Sequence, residues 1–151
     1  MLFRSRFASE DIGLADPQAL IQANAAREAF DFIGIPEGDL AIYQAAVYLA
    51  SAPKSNAIYQ AQKKTSELVQ KTGQIPIPLH LRNPVTKFMG EQGYGKDYQY
   101  DHDARFHITG QNCLPESIEI EEFYIPGELG FEKEIRKRLE FIEKIRLRRK
   151  D

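Results

Sequence analysis

The chain has no tryptophan and a single cysteine, Cys113, among 151 residues. One thiol closes no internal disulfide, and with no CxxC pair present there is neither a redox motif nor a cysteine-based zinc signature. Long apolar runs are also missing. The longest, Ala45 to Ala50, is far short of the ~20 residues that span a bilayer, and Arg4 and Arg6 interrupt the amino terminus too early for a secretory signal. A cytoplasmic, non-membrane protein is expected. Charge of one sign is not in excess either. The formal net charge of −2 and pI near 6.0 exclude a protein that coats nucleic acid by neutralising many phosphates.

What is present is an ordinary globular composition, 42% apolar and 28% charged, at a length that suits one domain. The charge is blocked along the chain: −4 over residues 1–53, +3 over 54–105, −5 over 106–130 and +4 over 131–151. Such blocks make either solvated helix faces or surfaces that pair with a partner.

Helical signals dominate. Asp16-Pro17 is a cap followed by a first-turn proline, and Leu20, Ala23, Ala26, Phe30 and Ile33 then form a stripe that stops at Gly34. The segment Leu40–Ala50 holds one polar residue, Gln44, so it predicts a helix that is either central and buried or covered by another subunit. Leu40, Tyr43 and Val47 are its candidate interface positions. Ser55 opens a third helix ending near Gly73. Asn83-Pro84 opens a short one carrying Val85, Phe88 and Met89, and Phe131, Ile135, Leu139, Ile142 and Ile145 stripe a final helix of about 20 residues. Between them, residues 74–127 form an irregular excursion. It begins with Ile75-Pro76-Ile77-Pro78, and the alternation of Tyr98 with Tyr100 and Phe106 with Ile108 is compatible with a short β-hairpin. The fold class is therefore all-α with an irregular insertion.

Gly90 to Lys96 satisfies GxxxxGK, the opening of a phosphate-binding loop, but Asp97 stands where Ser or Thr should ligate magnesium, and no buried strand precedes it. His80, His102 and His107, with Asp101, Asp103 and Cys113, are the residues from which a metal site could be assembled, but no pair falls at a strong ligand spacing such as HExxH or the zinc-finger pattern. No catalytic, cofactor-binding or metal-binding residue is assigned. A better-motivated group is Lys54, Arg82, Lys87 and Lys96 with Tyr94, Tyr98 and Tyr100, since cations hold phosphates and tyrosine rings stack on unpaired bases. These are the candidate nucleic-acid or partner contacts.

Ser9-Glu10-Asp11-Ile12-Gly13-Leu14-Ala15-Asp16-Pro17, Ala52-Pro53-Lys54-Ser55-Asn56, Pro78-Leu79-His80-Leu81-Arg82-Asn83 and Gly93-Tyr94-Gly95-Lys96, in this order, resemble the carboxyl-terminal region of the replication-associated recombination protein A family. A eukaryotic relative of that family is the Werner-helicase-interacting protein. The resemblance runs from about Phe7 onward. It implies a helical, tetramer-forming domain that follows an AAA+ ATPase module and its helical lid, with residues 1–8 the remnant of a preceding helix and 9–151 the oligomerisation domain. ATP and magnesium would then belong to the parent protein and not to this chain, which would be no enzyme itself. The implied partners are further copies of the chain, single-stranded or forked DNA and single-strand-binding protein, and the implied location is the nucleoid-associated cytoplasm. A weak DNA- or replication-protein-binding module using Lys54, Arg82 and Lys96 is the alternative. Gly90, Asp97 and Asp101 depart from the family pattern and lower the positive charge around Lys96.

Overall fold

Helix α1, Leu2–Phe7, passes into a π-helical turn at Ala8–Ile12 and a 3₁₀ turn at Gly13–Ala15 before the first long helix starts. In this computed structural model, which describes residues 2–118 and 122–148, there are six α-helices and no strand among the described residues. The remaining helices are α2 (Gln18–Ile33), α3 (Asp39–Ser51), α4 (Ala57–Thr72), α5 (Lys87–Glu91) and α6 (Glu132–Leu147). Two compact units result, one of residues 1–67 and 123–137, the other of 68–122 and 138–151.

In the first unit, Asp16 starts α2 as the sequence predicts: its Oδ1 accepts from the Gln18 amide at 3.0 Å, satisfying one of the first-turn donors. Gly34 ends the helix at φ 79°, and five residues later α3 folds back as the second arm of a helical hairpin. The buried core consists of Ala8, Ile12, Ala19, Ala23 and Leu49, with Phe7, Tyr48 and Ala52 packed against it. This corrects part of the predicted α2 stripe, of which Ala23 and Ala26 are buried as expected. Ala19 is buried while Leu20 and Ile33 are exposed, because alanines let the π-helical turn and α3 approach closely, and larger side chains are turned outward.

The residues before α6 close onto this core. The Phe131 amide donates to the Ala15 carbonyl at 2.8 Å, and Gly130, at φ 55°, lies so near Ala15 and Pro53 that no side chain fits there. Glu132, fully buried at the start of α6, accepts from the Tyr124 hydroxyl (2.8 Å) and the Gly127 amide (2.7 Å). Arg136 anchors the same strap through the Pro126 carbonyl (2.7 Å) and Glu128 (3.2 Å).

The second unit holds most of the excursion, and residues 123–127 of it belong to the first. Helix α5 is capped by Thr86, whose Oγ1 accepts from the Met89 amide at 3.2 Å, and not by Asn83. Pro84 is used differently from the expectation: its ring is the wall on which the backbone of Gly95 packs, so the chain stays extended to Thr86. Nor does a β-hairpin form over 98–109. Gln99 faces Gln111 and Asp101 faces Thr109, a hairpin-like register, but side chains make the bridges. Gln111 accepts from the Gln99 amide (3.2 Å) and donates to its carbonyl (2.8 Å), while Asp101 Oδ1 accepts from the Thr109 amide (2.9 Å) and hydroxyl (2.7 Å). Between the bridges the backbone makes 3₁₀ turns at Asp101–Asp103 and Arg105–His107, with Phe106 and His107 at φ 64° and 54°. Alternating apolar residues are thus placed by a loop closed through its own polar side chains. The final helix spans 16 residues against an expected length of about 20: Phe131 and Arg148 lie in turns at its two ends, and 149–151 are outside the described residues.

Candidate functional site

Leu40, Tyr43 and Val47 follow one another at three and four residues and so share one face of α3. They are 74%, 69% and 70% exposed, whereas Ala45 and Leu49 on another face are buried in the core. Helix α3 is therefore not central: the core consumes one side and leaves a broad apolar side in water, with no charged residue after Asp39. Helix α2 adds Ile21 and Phe32 to the exposed apolar residues. The sequence pattern did not single them out, because the stripe that seemed to face the core included Leu20 and Ile33 in place of Ala19.

The basic group divides between the units. Lys54, in the first, donates from Nζ to the carbonyls of Leu49 (2.6 Å) and Ala52 (2.8 Å) and lies 5.1 Å from the centre of the Phe7 ring. It neutralises the carbonyl end of α3, a favourable place for a cation. In the second unit the Arg82 guanidinium donates to the Ile77 carbonyl at 2.7 Å and to the Tyr94 hydroxyl at 3.3 Å, over whose ring it also sits. Lys87 and Lys96 are exposed. Arg82, Lys96, Asp97 and His80 border a groove of about 840 Å³ whose walls are residues 75–79, 111–112 and 114–117. The GxxxxGK stretch is no phosphate cradle. Gly90 is inside α5, the Gly95 amide is spent on the Leu79 carbonyl (2.9 Å), the Lys96 amide on Gly93 (3.2 Å), and Asp97 takes a left-handed turn at φ 61°.

His80 Nε2 is 2.9 Å from the Asn112 carbonyl, and the rings of Tyr100, His102 and His107 meet in sequence in tilted contacts, with centres 5.1 and 5.0 Å apart. Among the described residues no three of His, Cys, Asp and Glu are placed to hold a metal ion. Perturbed titrations accompany hydrogen bonds that fasten the fold. Hydrogen bonds from the Thr109 hydroxyl and amide hold Asp101 below the usual carboxylate range, with Arg146 and His102 adding to the effect. Burial, then the Glu132 carboxylate, pushes the Tyr124 hydroxyl upward, and the 2.7 Å bond to Asp16 does the same for Tyr48.

The family described as MgsA AAA+ ATPase C terminal matches residues 4–143. Replication-associated recombination protein A of Coxiella burnetii is 48% identical over 141 residues, covering 93% of this chain and 32% of the relative. The protein of the same name from Escherichia coli K12 is 43% identical over 136 residues, covering 89% and 30%. ATPase WRNIP1 of Dictyostelium discoideum is 50% identical over 121 residues, covering 79% and 14%. The chain spans about a third or less of the length of these relatives.

Proposed function

Because the chain belongs to the family of MgsA AAA+ ATPase C-terminal regions, we propose that it is the self-assembly module of a replication and recombination ATPase, joining subunits into a homo-tetramer. The exposed stripe Leu40, Tyr43 and Val47 carries this reading. Three large apolar side chains on one uncharged helix face are more than a lone soluble unit needs to expose, and covering them with a second copy removes that surface from water. In this reading nucleotide and magnesium are handled by the ATPase module, and DNA at forks or single-stranded gaps, with single-strand-binding protein, is met by the whole assembly in the nucleoid-associated cytoplasm. Of the four candidate cations, Lys54 and Arg82 are engaged with carbonyl groups, whereas Lys87 and Lys96 are exposed and so the better placed of the four for direct contact with phosphate.

Size exclusion with light scattering tests it. The chain should run above monomer mass at micromolar concentration, and Tyr43→Glu or Val47→Asp should return it to monomer, since desolvating an unpaired charge costs several kcal/mol. A monomeric wild-type chain at high micromolar concentration would overturn the reading for this domain.

A further inference from the structure

Beside the α3 stripe, the two arms of the helical hairpin enclose a hollow of about 210 Å³ lined by Gln22, Ala25, Ala29, Ala41 and Gln44 among others. Its rim is apolar on both sides. On α2, Ile21 and Phe32 stand four residues before Ala25 and three after Ala29. On α3, Leu40 and Val47 stand four before and three after Gln44, so by helical spacing each of these apolar residues lies one turn from a residue that lines the hollow. Phe32 is 92% exposed, with Ile35 at 76% in the turn just beyond it. From this arrangement we propose that the hairpin face is self-complementary: Phe32 of one copy seats in the hollow of a second, and its own hollow receives the other copy's Phe32.

The dimensions agree. A cavity of ~150 Å³ accepts benzene, and the α2–α3 hollow, at about 210 Å³ with five alanines in its lining beside Gln22, Gln44 and Tyr48, has room for a phenyl ring. Six side chains are exposed by more than half at or beside this face, Ile21, Phe32, Ile35, Leu40, Tyr43 and Val47. At on the order of 130 Å² each they supply about 800 Å² per copy, the share a standard interface takes from each partner. The chemistry also selects the occupant. No Lys or Arg occurs from residue 28 to 53, so the face offers nothing to a nucleic-acid backbone or an anionic lipid surface. Knob and hollow on one surface are what a two-fold, isologous contact requires.

This inference rests on the assembly reading and adds the part α2 plays in it. In the full chain, Phe32→Ser removes the knob and Ala25→Phe fills the hollow. Both positions are exposed, so neither change disturbs the core. Each should raise the dissociation constant for self-association at least tenfold by sedimentation equilibrium, while Val85→Ser, an 82% exposed position in the second unit, should leave it unchanged. If Val47→Asp breaks the assembly but Phe32→Ser and Ala25→Phe do not, the knob-and-hollow contact is wrong and the assembly reading stands. A chain that is monomeric throughout overturns both.

Discussion

Single hydrogen-bonded side chains do much of the work of closing this chain where regular structure is absent. Asp101 is the clearest case: one carboxylate oxygen takes both polar groups of Thr109, and the paired hydrogen bonds hold its pKa below the ordinary value. A carboxylate depressed in the folded state stabilises above its unfolded pKa of ~3.9, and that contribution is lost as pH falls through the folded value. Thr109→Val keeps the shape and the amide but removes the hydroxyl. The variant should therefore have a lower urea midpoint than the wild type near pH 6, with the gap narrowing as the pH is taken below the unfolded value of ~3.9. A gap that stays constant down to pH 2 would show that the Asp101–Thr109 bridge does not carry the difference. Asp101 was legible only as a departure from the family pattern. Its actual partner lies eight residues on, beyond any local cap or turn signal.

At the scale of elements, helices were easier to read than the strap that binds them. Stretches α2, α3, α4 and α6 announce themselves through caps, stops and periodic apolar residues, all of which act within four residues. The strap of residues 123–131 has no periodicity, and its place is set by long-range contacts: Phe131 to Ala15, Glu132 to Tyr124 and Gly127, and the close approach of Gly130. Gly130 is the least replaceable residue of this element, because a methyl group there would overlap the Ala15 carbonyl oxygen while the backbone holds φ 55°. Gly130→Ala should lower stability by about 2–4 kcal/mol and speed amide exchange through the strap before it does so in α2. Calorimetry together with hydrogen exchange measures both, and an unchanged melting temperature would mean that the strap is not seated as described.

For the whole molecule, the charge balance and the glycine loop set what it should fail to do. Isothermal titration with ATP and magnesium should show no saturable binding, since the amides of the GxxxxGK stretch are turned toward the chain and Asp97 replaces the hydroxyl residue that would ligate the metal. Single-stranded DNA should bind no tighter than tens of micromolar at physiological salt, as expected for a net charge of −2 with two of the four candidate cations committed to carbonyl groups. Fluorescence anisotropy with a labelled oligonucleotide measures this, and submicromolar affinity would contradict it.

The class is legible in the residues alone: mostly helical, with no membrane-length apolar run, one cysteine, and four ordered signatures sufficient to indicate the family that the family match then showed. Helix identity is written locally, because caps, stops and periodicity are set by near neighbours. Which side of each helix is buried is not. The choice of Ala19 over Leu20 for the core, the exposure of Phe32, Leu40, Tyr43 and Val47, and the engagement of Lys54 and Arg82 were decided only in the folded chain. Each depends on what a distant segment brings alongside: the π-helical turn that only small side chains can approach, the carbonyl end of α3 that attracts an ammonium group, and a core too small to cover both faces of α3.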